Sequence, residues 1–284
     1  MKTLKLFFVT ALLAIAFTSC THDDAIVDPA VIAYENADAV NGGKMYDKFW
    51  RTDTDFDQNN ANITTLSAKA DFFRCKQCHG WDGLGNAGSY INRAPRTSRP
   101  NIAAGNIYVL GQTKTPQQLY DGLTKATGRR GIATDLSTYD PTTNATEGDK
   151  MPNLTEVLTD TQIWDLVKFL KEGMLDVTQL YDATITGTYP TGTFAISNVG
   201  KDGNAATGKT LYASKCASCH GADGSKIIIE SMTVGQFTRK KGNEVQHKVN
   251  YGIDGKMPEY NLTLAQMKDV YKALADVTAF PDVQ

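Results

Sequence analysis

Apolar side chains recur with a helical period in two stretches of the chain that resemble each other. Residues 158–170 read LTDTQIWDLVKFL and residues 262–274 read LTLAQMKDVYKAL, with six identities in thirteen positions. Apolar residues three or four positions apart share one face of a helix. Each stretch is therefore predicted to form a helix that packs one face against a core.

These two helices end a longer unit that occurs twice in the same order. A Cys-x-x-Cys-His motif occupies residues 75–79 and 216–220, and Lys-Met-Pro occupies residues 150–152 and 256–258. A Gly-x-x-x-Tyr motif precedes each Cys pair. Self-similarity of this kind indicates a duplicated structural unit.

The repeat predicts two tandem domains of different length. The first, residues 39–178, carries insertions before and after its Cys pair, whereas the second, residues 200–284, is compact. Between them, residues 183–197 alternate Thr with apolar side chains around Pro190-Thr191-Gly192, which is typical of a short hairpin or an extended segment. We expect this segment to form a linker over residues 179–199.

The Gly-x-x-x-Tyr motifs predict how each domain closes. Gly42 with Tyr46 forms the first motif, and Gly208 with Tyr212 forms the second. Glycine has no Cβ and allows two backbones to approach closely. We expect the first and last helices of each domain to cross at the glycine, with the tyrosine packed beside the crossing.

The N-terminus has the pattern of an export signal. Lys2 and Lys5 flank the start of an uncharged apolar run over residues 6–17, which is too short for a membrane-spanning helix. Residues 1–19 resemble a bacterial lipoprotein signal, and the resemblance implies that Cys20 becomes the acylated first residue. The alternative is ordinary signal cleavage nearby, with Cys20 incidental.

This signal sets the expected location of the protein. Residues 20–38 show no clear period and are predicted to be a tether between the lipid and the first domain. We expect an exported protein, in the bacterial periplasm or at the cell surface, held to a membrane by its lipid.

Composition narrows the possible functions. The 284 residues are 41% hydrophobic and carry a formal net charge of −2, which is ordinary for a globular protein and leaves no strong basic field for nucleic acid. The chain has five Cys and four His, and most of them fall in the two Cys-x-x-Cys-His motifs.

The Cys-x-x-Cys-His motif is the attachment signature of c-type haem. Two thiols three positions apart on one helical turn reach the two vinyl groups of one porphyrin, and the adjacent His ligates the iron. A zinc site needs four ligands, whereas each motif offers three. We therefore expect two covalent haem c groups, one on Cys75, Cys78 and His79, the other on Cys216, Cys219 and His220.

Each half of the chain resembles a class I cytochrome c domain, over roughly residues 40–175 and 200–284. The resemblance implies an all-α fold. It also implies that the Met of each Lys-Met-Pro motif, Met151 and Met257, is the distal ligand of the iron. The alternative is that these methionines only fill the core.

The resemblance implies a further contact in the first domain. The carbonyl of Pro100 would accept a hydrogen bond from His79 and fix the orientation of the ring. No Pro lies between His220 and Pro258 in the second domain, so we expect a carbonyl near residues 227–229 to serve His220.

Other polar residues have alternative interpretations. Arginines in the first-domain insertion could pair with haem propionates or lie in a solvated loop. They are Arg93, Arg96, Arg99, Arg129 and Arg130.

His247 is the one histidine inside a domain that lies outside the haem motifs. Val245 and Val249 define the buried face of its helix, and His247 lies about 200° from Val245. We expect it to be solvated.

These features predict a dihaem electron carrier that works between a donor and an acceptor protein in the cell envelope. One alternative is a dihaem enzyme, similar to peroxidases or thiosulfate dehydrogenases. However, the scarcity of His disfavours a peroxidase, and the Cys ligand of the thiosulfate enzymes has no free counterpart here. Another alternative is a cytochrome subunit of a dehydrogenase complex. We expect a carrier rather than an enzyme.

Overall fold

The computed structural model describes residues 28–143 and 145–283. The predicted signal over residues 1–19 and the predicted lipid site Cys20 lie outside the described residues. Within the described ranges, no helix combines the length and the hydropathy needed to cross a bilayer.

The described chain is helical apart from one hairpin. The α-helices are α1 (Pro29–Asn36), α2 (Ala39–Lys48), α3 (Ile63–Ala68), α4 (Cys75–His79), α5 (Ile107–Thr113), α6 (Pro116–Thr124), α7 (Ala145–Gly148), α8 (Asp160–Lys168), α9 (Ala205–Lys215), α10 (Ala217–His220), α11 (Val234–Tyr251) and α12 (Leu264–Leu274). A π-helical turn, Phe169–Gly173, continues α8. The all-α prediction is confirmed.

Strands β1 (Asp182–Thr186) and β2 (Thr193–Ser197) pair antiparallel in the linker, with Asp182 opposite Ser197 and Thr186 opposite Thr193. Alternation of Thr with apolar residues suits a strand that has one covered face, and on β2 the half-buried positions alternate with exposed ones. The hairpin predicted from this alternation is present.

The repeated helices begin with the same local device. Thr159 caps α8 and Thr263 caps α12, and each threonine exchanges hydrogen bonds with a glutamine three residues later. This capping box satisfies backbone groups that a helix N-terminus otherwise leaves unpaired. It explains why both helices begin at equivalent positions of the repeat.

The terminal helices of each domain cross at a glycine, as the motif predicted. A Cβ on Gly42 of α2 would lie 2.0 Å from the Asp165 carbonyl oxygen on α8. A Cβ on Gly208 of α9 would lie 1.9 Å from the Asp269 carbonyl oxygen on α12. No side chain fits at either crossing, so the glycines set the helix spacing.

The tyrosines of the motif connect these crossings to the Cys-His segments. The Tyr46 hydroxyl donates to the Gly80 carbonyl at 2.6 Å, and the Tyr212 hydroxyl donates to the Gly221 carbonyl at 3.0 Å. Both tyrosines are buried. Each hydroxyl thus holds the residue that directly follows a Cys-x-x-Cys-His motif.

The segment expected as a tether differs from the expectation over its second half. Residues 29–36 form α1, with Asp28 as the N-cap. Ala30, Ala33 and Tyr34 pack against a small core that includes Trp164 and Val167 of α8. This packing against the first domain explains the order of a stretch whose sequence has no clear period.

The second domain docks on the first through α11. Tyr251, at the end of α11, belongs to the core of the first domain, and its hydroxyl donates to the Gly173 carbonyl at 2.5 Å. Arg51, which is fully buried, donates to the carbonyls of Tyr251 at 3.1 Å and Gly252 at 3.4 Å. The ion pair of Lys48 with Asp254 at 2.7 Å lies at the same interface.

Candidate haem-binding sites

In the second domain, the predicted haem residues line one cavity. Cys216, Cys219, His220 and Met257 all contribute to a cavity of about 670 Å³. This volume lies in the range of about 300–1,000 Å³ typical of ligand sites. His220 and Met257, which are 37 positions apart in sequence, therefore meet at one site.

The cavity walls are largely apolar. The loop residues Ile227, Ile228 and Ile229 line the cavity together with side chains from α9, α11 and α12. The helical side chains include Tyr212, Phe237, Val245, Val249, Val270 and Leu274. Such walls suit a flat, apolar ring system with polar groups at its edge.

His220 has the electronic state that an iron ligand needs. Burial lowers the pKa of its imidazole, so the ring is neutral at pH 7 and keeps a lone pair for a metal. Its Nδ1 is buried without a hydrogen-bond partner. The expectation that a carbonyl near residues 227–229 accepts from His220 is wrong for this structure.

Backbone hydrogen bonds hold Met257 against the end of α11. The Met257 amide donates to the Ile253 carbonyl at 3.0 Å, and the Ile253 amide donates to the Met257 carbonyl at 2.8 Å. Gly252 has a φ of +65°, and a Cβ there would lie 2.4 Å from the Met257 carbonyl oxygen. The Met257 loop is thus fixed by its backbone, and its side chain faces the cavity.

In the first domain, two of the predicted haem residues pack against a separate core. Cys75 and Met151 both pack against the cluster that contains Tyr46, Phe72 and Phe73. Burial raises the pKa of Cys75 to about 12 and that of Cys78 to about 11, so both are neutral thiols at pH 7. Burial also lowers the pKa of His79 to about 4, which leaves its imidazole neutral.

Arg130 connects the Met151 loop to the segment that precedes Cys75. Its amide donates to the Met151 carbonyl at 3.1 Å, and its Nε donates to the Lys150 carbonyl at 3.0 Å. Its Nη2 donates to the Phe72 carbonyl. The guanidinium carbon lies 4.6 Å from the centre of the Phe73 ring. One side chain thereby holds both halves of the first site.

Arg130 also retains a donor for an anion. The side chain is 1% exposed, and its Nη1 is buried without a partner. Its charge acts on the neighbouring Cys78 and lowers the pKa of that thiol against the larger effect of burial. A buried guanidinium with a free donor beside the Cys pair fits the carboxylate edge of a haem.

The other arginines of the insertion have different partners. Arg93 pairs with Asp71 at 3.0 Å and also donates to Gln77. Arg99 donates to the Ala94 carbonyl at 2.7 Å, and Arg129 donates to the Gly122 carbonyl at 2.9 Å. These bonds order the loop itself, and Arg96 is exposed.

Pro100 is buried directly after a backbone bridge between Arg96 and Arg99. The next amide, that of Asn101, donates to Asp149 at 2.8 Å. The loop that carries Pro100 is thus fixed near the Met151 loop. The hydrogen bond from His79 to the Pro100 carbonyl stays a prediction.

The prediction that His247 is solvated is wrong. The side chain is 2% exposed and lies between the two domains. Its ring centre is 4.9 Å from that of Trp81, 5.6 Å from that of Tyr46 and 4.7 Å from that of Tyr251. Helix α11 has two buried faces, one toward its own core and one toward the first domain.

A sequence signal for this second face exists. Asn243, Gln246 and His247 recur at helical spacing, and all three are buried. A stripe of polar but uncharged side chains on a helix can mark a contact with another domain. Gln246 illustrates this, because its Nε2 donates to the Trp81 carbonyl of the first domain at 2.8 Å.

Comparisons with known families agree with this geometry. Residues 65–173 match the family model described as cytochrome c, and residues 203–275 match the model described as cytochrome C oxidase, cbb3-type, subunit III. Each matched range includes one Cys-x-x-Cys-His motif and one Met-Pro pair. The chain is a c-type cytochrome.

As a c-type cytochrome, the protein binds haem covalently, transfers electrons and exchanges them with redox partners. No match to the chain is found among curated proteins or among solved structures.

Proposed function

We propose that this cytochrome carries two haem c groups and relays single electrons between a donor and an acceptor protein in the cell envelope. The observation that carries the proposal is that Cys216, Cys219, His220 and Met257 line one cavity. The first domain supports it with the same motifs around its own core. We assign residues 39–178 and 200–284 as the two haem domains, with residues 179–199 as the linker.

Each residue of a site has a defined role in this proposal. The two thiols of each motif would form thioethers with the haem, and His79 or His220 would ligate the iron. Met151 or Met257 would supply the second protein ligand. When bound, the haem supplies an iron that cycles between the ferric and ferrous states, and a Met ligand favours the ferrous state.

The surrounding residues of each site keep the ligands in place. The Arg130 hydrogen bonds fix the Met151 loop, and the bridge between Ile253 and Met257 fixes the second loop. In the second domain, the apolar cavity walls would limit the access of water to the iron. The free Nη1 of Arg130 offers a buried donor to a haem propionate.

Haem counting tests this proposal. The purified protein should contain two irons per chain, and its haem should remain bound after acid–acetone extraction and denaturing electrophoresis. The double variant Cys216→Ala with Cys219→Ala should keep one haem, as should Cys75→Ala with Cys78→Ala. One haem per chain in the unaltered protein would contradict the proposal.

The distal ligands have a spectroscopic test. The oxidised protein should show the weak sulfur-to-iron band near the red end of the visible spectrum. Met257→Ala and Met151→Ala should each remove about half of this band, because each removes one of two equivalent ligands. Met232→Ala is a matched control, since Met232 packs against the second core in the same way. A band unchanged by both ligand substitutions would contradict the assignment.

We also propose that Cys20 carries lipid, after removal of residues 1–19, and that it holds the protein at the outer face of a membrane. The basis is the signal pattern and the position of Cys20 outside both haem motifs. Two or more acyl chains give stable anchoring. Cys20→Ser should release haem-loaded protein into the soluble fraction, and membrane retention of that variant would contradict the anchor.

One observation favours a second candidate function. The second domain matches a family described as a subunit of an oxidase, so the cytochrome could serve as a subunit of a larger respiratory complex. Native electrophoresis of mildly solubilised membranes separates the two functions. Haem staining at the size of a complex, with a respiratory enzyme present in the same band, would favour a function as a subunit of that complex over a function as a separate carrier.

A further inference from the structure

Helix α4 separates the two haem sites and faces both of them. Cys75 of α4 packs against the core of the first domain. Lys76, the next residue, lines the cavity of the second domain together with Trp81. The segment that binds the first haem is thus also part of the wall around the second.

Trp81 is the side chain that bridges these two environments. It lies two residues after His79, the proximal ligand of the first site, and its side chain lines the cavity that contains His220 and Met257. Trp81 is 6% exposed. The covalent path from one haem site to the wall of the other is therefore only two residues long.

Both domains hold the backbone of this segment. The Tyr46 hydroxyl of the first domain donates to the Gly80 carbonyl at 2.6 Å. Gln246 of the second domain donates to the Trp81 carbonyl at 2.8 Å. The His247 ring packs on the indole at 4.9 Å between ring centres. These contacts give the indole one position.

The charges around the indole determine whether it can itself be oxidised during electron transfer. The Lys76 ammonium lies 3.9 Å from the ring centre and the Lys248 ammonium lies 5.6 Å from it. Cations over an aromatic face are attracted to its electrons. Each of these ammonium groups is paired with a carboxylate, Lys76 with Asp47 at 3.6 Å and Lys248 with Glu244 at 2.7 Å. Removal of an electron from the ring would still place a positive charge in contact with both ammonium groups, which Coulomb repulsion opposes. The indole is thus poorly suited to be oxidised itself.

We propose that Trp81 is the positioning residue that couples the two haems, as a bridge for electron tunnelling rather than as a redox station. In each step one electron leaves a ferrous iron in one domain and arrives at a ferric iron in the other. The indole is neither oxidised nor reduced, and no proton moves. This inference rests on the proposed function, since it requires two haems in one chain.

Single-electron injection tests the proposal. A flavin semiquinone generated by a laser flash reduces one iron per molecule, and the electron then redistributes between the haems in a phase whose rate is independent of protein concentration. Redox titration gives the spectrum and the midpoint potential of each haem. Trp81→Leu and Trp81→Phe are compared with Trp164→Leu and Trp164→Phe, since Trp164 is also buried but stacks on Tyr120 in the first domain.

Trp81→Leu should slow the redistribution by about tenfold or more, because the loss of the ring weakens the electronic coupling between the haems. Trp81→Phe keeps a ring and should show a smaller decrease. Midpoint potentials and thermal midpoints in the Trp81 variants should stay within the range of the Trp164 variants, because a structural role alone would move them.

Each other outcome has a defined meaning. If the unaltered protein holds one haem, the proposed function fails. If it holds two and the Trp81 variants redistribute the electron as fast as the Trp164 variants, only the role of Trp81 fails. If Trp81→Leu does not retain both haems, the redistribution rate of Trp81→Phe is compared with that of Trp164→Phe, and equal rates again exclude the role of Trp81. A transient indole radical in the unaltered protein would overturn the bridge in favour of a redox station.

Discussion

Acid should weaken the domain interface through His247. The ring is buried among Tyr46, Trp81, Phe169 and Tyr251, and its Nε2 has no partner. Burial, which is the dominant cause, lowers the pKa of His247 to about 3, against 6.5 for an ordinary histidine. Among the charges that face it, Asp47 opposes this shift, whereas Lys76 and Arg51 add to it.

The sign and size of the effect follow from this pKa. Because the folded pKa is lowered, the unfolded chain binds the proton first, so the stability is complete above pH 6.5 and decreases as the pH falls toward 3. Between pH 7 and pH 5 the expected loss is about 2 kcal/mol, at about 1.4 kcal/mol per pH unit below 6.5. The result hardly depends on the folded pKa provided that it stays below about 4.

Urea unfolding of the haem-loaded protein at pH 7 and pH 5 measures this loss. His247→Phe keeps a ring of similar volume, and His247→Asn keeps an amide donor near the position of Nδ1; neither side chain titrates. Both variants should lose about 2 kcal/mol less than the unaltered protein between the two pH values. Contributions from His79 and His220 are common to all three proteins and cancel. Equal losses in all three would refute the reasoning.

The remaining predictions concern stability, each measured by urea unfolding at pH 7. Gly208→Ala should cost about 1–2 kcal/mol, because a Cβ 1.9 Å from the Asp269 carbonyl oxygen overpacks the crossing by more than the gain in helix propensity. Gly122→Ala on α6, where a Cβ meets no atom within 4 Å, should instead stabilise the protein by up to about 1 kcal/mol. If Gly208→Ala and Gly122→Ala changed the stability equally, the close helix contact at Gly208 would be contradicted. Thr263→Ala should cost about 1 kcal/mol through its lost cap, and no loss would show that the capping box is dispensable. Arg51→Met should cost about 2 kcal/mol, since it leaves two buried carbonyls of the second domain unpaired; an unchanged midpoint would show that solvent replaces them.

Local chemistry made much of this protein predictable from its sequence. The Cys-x-x-Cys-His spacing gave the haem chemistry, because a short helix imposes the geometry within five residues. The resemblance of each half to a class I cytochrome c domain implied the all-α fold, and the glycine motif predicted the helix crossings. In each case the relevant contacts lie within one repeat unit, so the pattern itself contains the information.

Contacts between distant segments could not be predicted in this way. The helical position of His247 relative to Val245 and Val249 was read correctly, but the opposite face of α11 is covered by the first domain rather than by water. Arg130 was a candidate partner for a haem propionate, but its hydrogen bonds to Phe72 and Lys150 could not be predicted, because these partners are remote in sequence. Helix α1 owes its order to α8, whose surface the local sequence does not describe.

The burial of Tyr251 has a consequence for the evolution of the two halves. By sequence Tyr251 belongs to the second repeat, yet it completes the core of the first, where its ring fills the space beside Gly43. A recombination event that replaced the second half with another cytochrome domain would remove part of the first half's interior. The duplicated halves are therefore no longer interchangeable modules. Positions 43 and 251 are expected to covary among homologous chains.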